Sequence, residues 1–335
     1  MPVARQKADA GPRGPASRGL TRSGPATTVA RPDRWENSEM IFRHVRRELP
    51  KIVDPTRFGG RLRFAQGRLG LNDFIRIKDT PLQNAGFGVP KYPMADLADM
   101  PRRVYLYWDK GFEQAPELVR ICAKSWRVQN PDWEITLLDA TAAQTIVDRT
   151  ALPANIREAH YSDILRTRLL AQHGGVWADA TLLALRPLDD WLLQIMTQTG
   201  FFAFSRETRD RIMASWFLAA RKDDAVVAAI DARVQRFWNG DRPDPLPYFW
   251  YHYLVEYLHR TDRRVARAWV DMPGLNAHPM LLMFLAYKYR TDLGPHVDLI
   301  RAMPLQKLNY RIGIDTGALE RDVRLIAPAL ADRLF

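Results

Sequence analysis

The chain has one cysteine, Cys122, among 335 residues. A single thiol cannot close an internal disulfide or build a cysteine zinc site, and such sparse cysteine fits a reducing compartment. Cys122 falls on the apolar side of a predicted helix, which assigns it to the core rather than to redox chemistry. The seven histidines include no His-x-x-His or His-Glu-x-x-His pair, which removes the usual zinc patterns. A phosphate-binding P-loop is missing too. Long apolar runs are also lacking: the longest, "PMLLMFLAY" from Pro279, is far short of the roughly 20 residues needed to span a bilayer. An apolar h-region is absent from the N-terminus, which argues against a secretory signal, although composition does not exclude a transit peptide. These absences describe a soluble or peripheral protein, expected in the cytoplasm.

What is present is unevenly spread. The formal charge of +11 belongs to the N-terminal part, because residues 1–78 hold 17 Lys and Arg against 7 Asp and Glu. Residues 1–35, rich in Gly, Pro, Ser, Ala and Arg, cannot bury enough apolar surface to offset their ordering entropy and are expected to form a disordered basic tail. Residues 36–100 read as a helical or irregular extension. Within it "IFRHVRREL" (Ile41 to Leu49) reads as a short amphipathic basic helix suited to an anionic membrane surface. The arginines lack the aromatic interleaving of single-strand binders, so nucleic acid is not the expected partner.

From Arg102 the pattern becomes regular. "RRVYLYW" reads as a strand, and "QAPELVRICAKSWRVQ" as a helix with Leu118, Ile121, Cys122 and Trp126 on one face. Asn130-Pro131-Asp132 ends that helix and "WEITLLD" supplies a second strand, giving the unit that builds parallel sheets. Residues 141–172 read as helical, Gly174 and Gly175 stop the helix, and "VWADA" is the next strand. Strand alternation puts Trp177, Asp179 and Thr181 on one face and Val176, Ala178 and Ala180 on the other. The acid then projects at the carboxyl end of a parallel strand, where open α/β sheets bind ligands. Asp163 and Arg166, three apart, share one helical surface. Alone they would make a solvated ion pair of small energy, but their helix runs straight into the strand that carries Asp179. Asp210, Asp223 and Asp224 have no comparable setting.

The stretch "SDILRTRLLAQHGGVWADAT" resembles the sugar-binding region of DXD-type glycosyltransferases: an Asp-x-x-Arg helix, Gly-Gly, an aromatic, then Asp-x-Asp. It is most similar to the bacterial capsular polysaccharide synthesis branch, itself related to yeast-type α-mannosyltransferases. "MASWFLAA", "YFWYHYL" and "PLQKLNY" resemble downstream blocks, so the resemblance covers roughly Pro101 to Tyr310. It implies an α/β GT-A fold, a Rossmann-like single catalytic domain over 101–335 with helical additions. The implied activity is transfer of a sugar from a nucleotide-sugar donor to a glycan or lipid-linked glycan acceptor, metal-assisted and retaining.

Carried over by position, Tyr107 and Trp108 would border the nucleobase. Asp163 and Arg166 would hold ribose and sugar hydroxyls, and Trp177 would wall the pocket. Asp179, with Arg166, is the expected catalytic centre and the expected ligand of Mn²⁺ or Mg²⁺. Thr181 stands where the pattern has its second acid, so metal chelation would rest on one carboxylate, Thr181, waters and the diphosphate. Lys307 could add a point charge at that diphosphate, while its ordinary reading is a surface lysine. Ser215 and Trp216 would line the acceptor side or simply pack in a strand. His252 is read as aromatic packing ahead of catalysis. Two alternatives stay open: a nucleotide-sugar-binding protein that has lost catalysis, motivated by Thr181, and a membrane- or nucleic-acid-binding role for the basic N-terminal region.

Overall fold

The computed structural model describes Leu97, Met100 and residues 101–335, apart from 209–210, 241–245 and 247. The expected basic tail, nearly all of the 36–100 extension, the segment Ile41 to Leu49, and Asp210 lie outside the described residues.

Strand β1 (Arg103–Tyr107) is apolar on both faces, as a strand covered on both sides must be. Helix α1 (Glu117–Gln129) follows and buries Leu118, Ile121, Cys122 and Trp126, the face its spacing predicts. Asn130 ends it: its amide donates to the Trp126 carbonyl and its side-chain oxygen accepts from the Leu188 amide. Strand β2 (Glu134–Leu138) then pairs parallel with β1, from Arg103 opposite Glu134 to Tyr107 opposite Leu138.

The continuous helix expected over 141–172 is broken. A short α2 (Ala140–Gln144), capped by the Asp139 carboxylate, gives way to a single 3-10 turn at Arg149–Ala151, held by Asp148. Pro153 lies in the gap, and α3 (Glu158–His173) begins only after it. This helix is buried on more than one side: Ile164, Leu165 and Leu169 pack in the core while Asp163 and Arg166 are buried too.

The Gly-Gly that follows has a steric cause. Gly174 and Gly175 adopt φ of 68° and 93°, and a Cβ on either would lie 2.7 Å from backbone, at the Lys222 nitrogen and the Arg103 oxygen respectively. Only glycine turns the chain this tightly from α3 into β3 (Gly175–Ala178), which pairs parallel with β1.

β4 (Leu182–Ala184) leaves the sheet, and α4 (Leu192–Met196) leads to a hairpin of β5 (Phe201–Thr208) and β6 (Arg211–Ala220). The main sheet has five strands in the order β2-β1-β3-β6-β5. β6 runs antiparallel to β3 and to β5, so the sheet is mixed, and the parallel arrangement expected from the sequence holds for β2, β1 and β3. The antiparallel pairing has a positional consequence: it directs the Arg211 end of β6 toward the carboxyl end of β3.

Helices α5 (Ala225–Asn239), α6 (Trp250–Thr261), α7 (Arg263–Asp271), α8 (Leu282–Tyr289) and α9 (Val297–Ala302) follow. Asp224 caps α5 through the amides of Val226 and Val227, which accounts for that acid. β7 (Leu305–Lys307) pairs antiparallel with β4, and α10 (Thr316–Ile326) and α11 (Pro328–Leu334) close the described chain. The main core centres on Trp126, Trp177, Trp191, Phe202, Phe204 and Phe217; a second cluster joins α1 to α10 and α11 and contains Cys122. Burial pushes the Cys122 thiol up to about 12, which suits an inert packing group. No helix among the described residues is long and apolar enough to cross a membrane.

Candidate active site

A cleft of about 700 Å³ opens at the carboxyl ends of β1 and β3. It gathers every site residue expected from the sequence: Tyr107, Trp108, Asp163, Arg166, Trp177, Asp179, Thr181, Ser215, Trp216, His252 and Lys307. Their sequence separation is bridged by the sheet, the helix α3 and the β4–β7 ladder.

The centre is an arginine between two acids. Arg166 Nη1 lies 3.3 Å from Asp163 Oδ1, and Nη2 lies 3.4 Å from Asp179 Oδ1. The same guanidinium donates from Nε to the Ser162 carbonyl (3.1 Å), from Nη2 to the Ser162 hydroxyl (2.9 Å) and from Nη1 to the Ser215 carbonyl (2.6 Å). Its underside rests on the Trp177 ring, 5.0 Å from the centroid. The arginine is therefore committed to protein partners on every edge, and its side chain is only 5% exposed. It braces the two acids more than it offers hydrogen bonds of its own. The solvated ion pair that spacing alone would give does not occur.

Asp179 sits one residue past β3, where the strand ends in a turn. Its amide donates to the Trp216 carbonyl on β6 and its carbonyl accepts from the Leu182 amide. Trp177 Nε1 donates to Asp179 Oδ1 at 3.1 Å, as expected for side chains two apart. Trp177 itself is 1% exposed, so it orients the acid from beneath rather than forming an open wall. On the other side Lys307 Nζ lies 3.5 Å from Asp179 Oδ2 and donates to Thr181 Oγ1 at 2.5 Å. Lys307 is no surface lysine: β7 places it opposite Leu182, inside the cleft.

Burial raises Asp163 to about 7; Arg166 opposes that shift and the Asp179 charge adds to it.

At the mouth, the Tyr107 hydroxyl donates to Glu158 Oε2 at 2.9 Å, so this tyrosine presents its ring and not a free hydroxyl. Trp108 meets Tyr310 edge to face, with centroids 5.1 Å apart. Ser215 lines the cleft and contributes its main-chain oxygen to Arg166.

The hairpin adds residues that the sequence reading missed. Glu207 on β5 pairs with Arg211 at 2.8 Å and accepts from Trp216 Nε1 at 3.1 Å. Burial holds its carboxyl above the usual range, against the pull of Arg211 and Lys307. Arg211 in turn stacks on Phe249, 4.1 Å from the ring centroid. His252 is buried beside this group, with Nε2 4.0 Å from Glu207 Oε2 and no hydrogen-bond partner for either ring nitrogen among the described residues. Burial, followed by Arg211 and Arg166, holds its pKa well below the ordinary histidine value, so it is neutral at pH 7. It makes the expected aromatic contacts with Phe249 and Tyr251 and also faces the cleft. The signal for Glu207 was a run of charges, "SRETRDR", between two apolar stretches.

The expected Mn²⁺ or Mg²⁺ would depend on Asp179 and Thr181 for its protein ligands. Asp179 already faces Arg166 and Lys307, and the Thr181 hydroxyl accepts from the same lysine. Among the described residues no three His, Cys, Asp or Glu side chains come together as a metal site. The two oxygens that would hold such an ion, on Asp179 and Thr181, are both engaged by the Lys307 ammonium, so this donor set does not fit a resident divalent ion unless the lysine is displaced.

Residues 91–319 match the family model for capsular polysaccharide synthesis proteins, and the chain belongs to that family. A glycosyltransferase of Aspergillus fumigatus is 26% identical over 161 residues, covering 42% of this chain and 41% of the relative. An O-glycosyltransferase of Annulohypoxylon truncatum is 24% identical over 160 residues, covering 42% and 38%. The initiation-specific α-1,6-mannosyltransferase of Saccharomyces cerevisiae is 26% identical over 115 residues, covering 30% and 23%. The chain thus spans about two fifths or less of the curated relatives it matches. Among solved structures, the PaToxG glycosyltransferase aligns with a TM-score of 0.33 and 11% identity over 69% of this chain and 86% of that one.

Proposed function

We propose that this protein is a GT-A-type, hexosyltransferase-like glycosyltransferase that moves a sugar from a nucleotide-sugar donor to a glycan or lipid-linked glycan acceptor in surface polysaccharide synthesis. The observation that carries the reading is the Asp163–Arg166–Asp179 arrangement, buried at the carboxyl ends of parallel strands inside a cleft large enough for a nucleotide sugar. Membership of the capsular polysaccharide synthesis family and the glycosyltransferase relatives support the same conclusion.

In this reading the nucleobase lies against Trp108 and Tyr310 at the mouth, bordered by the Tyr107 ring. Asp163 and Asp179 accept hydrogen bonds from ribose and sugar hydroxyls, and Arg166 holds both acids in place. Glu207, Trp216 and His252 line the acceptor side. The bond between the anomeric carbon and the β-phosphate oxygen breaks, and its electron pair stays on that oxygen. The acceptor oxygen bonds to the anomeric carbon from the same face, which retains configuration, and its proton passes to the departing phosphate oxygen. That route needs no separate protein base on the opposite face. The protein's share is positioning plus charge stabilisation of the leaving group.

The test uses the purified full chain, a panel of nucleotide sugars, and glycan and lipid-linked acceptors, with released nucleoside diphosphate as the readout. One donor should be consumed well above the others. A stably folded protein that binds a nucleotide sugar without ever releasing diphosphate would make it a binding protein that has lost catalysis. Failure to bind or turn over any donor would overturn the reading altogether.

A further inference from the structure

The position of the missing second acid is occupied in a specific way. Thr181 brings a hydroxyl and no negative charge, and Lys307 Nζ sits directly on it, 2.5 Å from Oγ1. The same ammonium is 3.5 Å from Asp179 Oδ2 and 3.4 Å from the Leu308 carbonyl. It therefore bridges the two side chains that the Asp-x-Asp pattern would use for a cation.

This placement is built by the backbone. β4 pairs with β7 so that Lys307 faces Leu182, and the Leu308 amide donates to the Thr181 carbonyl at 2.9 Å. Arg166 lies on the far side of Asp179 and is shared with the more deeply buried Asp163, so Asp179 is the acid that the ammonium meets in the cleft. A divalent cation would have to displace this ammonium from both oxygens, whereas a diphosphate meets a positive charge already in place.

We infer that the Lys307 ammonium stands where a divalent cation would otherwise sit at the donor diphosphate, so that this protein binds and releases its nucleoside diphosphate without a metal. The inference rests on the glycosyltransferase reading above. Of the ammonium's contacts, those to Asp179 and Leu308 are long, which leaves protons to turn toward phosphate oxygens. As the sugar–phosphate bond breaks, Lys307 keeps its three protons and meets the charge added to the β-phosphate. Thr181 anchors the amine from behind, and a carboxylate there would hold the lysine in a tight ion pair and cancel the charge that the phosphate needs.

Isothermal titration calorimetry of the full chain with UDP, GDP, ADP and CDP, each in EDTA and in excess MnCl₂, tests this. The nucleotide that binds should show the same Kd in both buffers to within about threefold. Lys307→Met, which keeps the apolar stem, should weaken binding in EDTA by about tenfold or more. Combining Lys307→Met with Thr181→Asp should restore binding in MnCl₂ and leave it weak in EDTA. Wild-type binding that vanishes in EDTA and returns with MnCl₂ would overturn the inference while leaving the glycosyltransferase reading standing. So would a Lys307→Met variant that binds in EDTA as tightly as wild type. If none of the four nucleotides binds in either buffer, both readings fall.

Discussion

Two Asp-x-x-Arg pairs in this chain have nearly the same sequence and opposite circumstances. Asp163-Ile164-Leu165-Arg166 in α3 places its charges 3.3 Å apart with side chains 10% and 5% exposed; Asp298-Leu299-Ile300-Arg301 in α9 places them 2.8 Å apart with side chains 96% and 50% exposed. The closer pair matters less. On the surface, water and salt screen the charges and the side chains give up rotamer freedom for little gain. In α3 each charge has left water, so its partners decide whether the site is stable at all. Arg166 meets that requirement with Ser162, Ser215 and a second acid, Asp179, whereas Arg301 has beyond Asp298, among the described residues, a single bond to the Leu325 carbonyl. A charge pair takes its meaning from what the chain does next: α3 turns through Gly174 and Gly175 into the strand that brings Asp179 back to it.

The largest effect expected from breaking this contrast is Arg166→Ala. It removes the shared counter-charge of two acids and should cost about 3–5 kcal/mol of stability, seen as a lower urea midpoint, with loss of sugar transfer. Arg166→Lys should do less to stability and still lower transfer on the order of 10²-fold, measured as donor turnover. An ammonium keeps the charge and lacks the planar fork that reaches Ser162, Ser215 and both acids together. Transfer within about threefold of wild type, roughly 0.65 kcal/mol in barrier, would return the α3 pair to the status of the α9 pair.

Asp163→Asn sharpens the comparison through pH. The Asp163 carboxyl is raised from 3.8 to about 7, so between those values the folded protein holds a proton that the unfolded chain has released. Its contribution to stability is present below the unfolded value and is lost as pH rises through the folded one. The urea midpoint of Asp163→Asn, relative to wild type, should therefore climb as pH increases across that window. His252, held neutral by burial, works with the opposite sign: its cost appears as pH falls through the ordinary histidine range, and it cancels when variant and wild type are compared. A flat difference curve would mean that the Asp163 carboxyl titrates in the folded protein as it does in the unfolded chain. The smallest effect belongs to Asp298→Ala, which should change stability by less than about 1 kcal/mol and leave donor turnover untouched.

The sequence made one side of the cleft readable and left the other opaque, for physical reasons. β1, α1, β2 and β3 follow from local periodicity, and Asp179 follows from strand alternation, because those signals lie within a few residues. The Gly174-Gly175 stop was visible, while its cause, backbone of Lys222 and Arg103 closing on both glycines, depends on distant chain. Glu207 and Arg211 were overlooked because their position depends on β6 running antiparallel to β3, which no local pattern specifies. For Lys307 the sequence leaves a diphosphate contact and an ordinary surface lysine side by side, since only the pairing of Leu182 with Lys307 brings it to Asp179. The break between α2 and α3 was missed although Pro153 marked it. The brace formed by Arg166 could not be foreseen, because two of its acceptors are main-chain carbonyls.

The account stands or falls on Asp179, the acid held between Arg166 and Lys307 at the strand end. The measurement is steady-state turnover of the donor that wild type selects, comparing Asp179→Ala with wild type at matched folded fraction. Asp179 lies past the end of β3 with its side chain 25% exposed, so the variant should still fold, at a lowered thermal midpoint because Arg166 loses one of its two counter-charges. Turnover should fall on the order of 10²–10³-fold or more. Turnover within about threefold of wild type would contradict the assignment of this cleft as the site of sugar transfer.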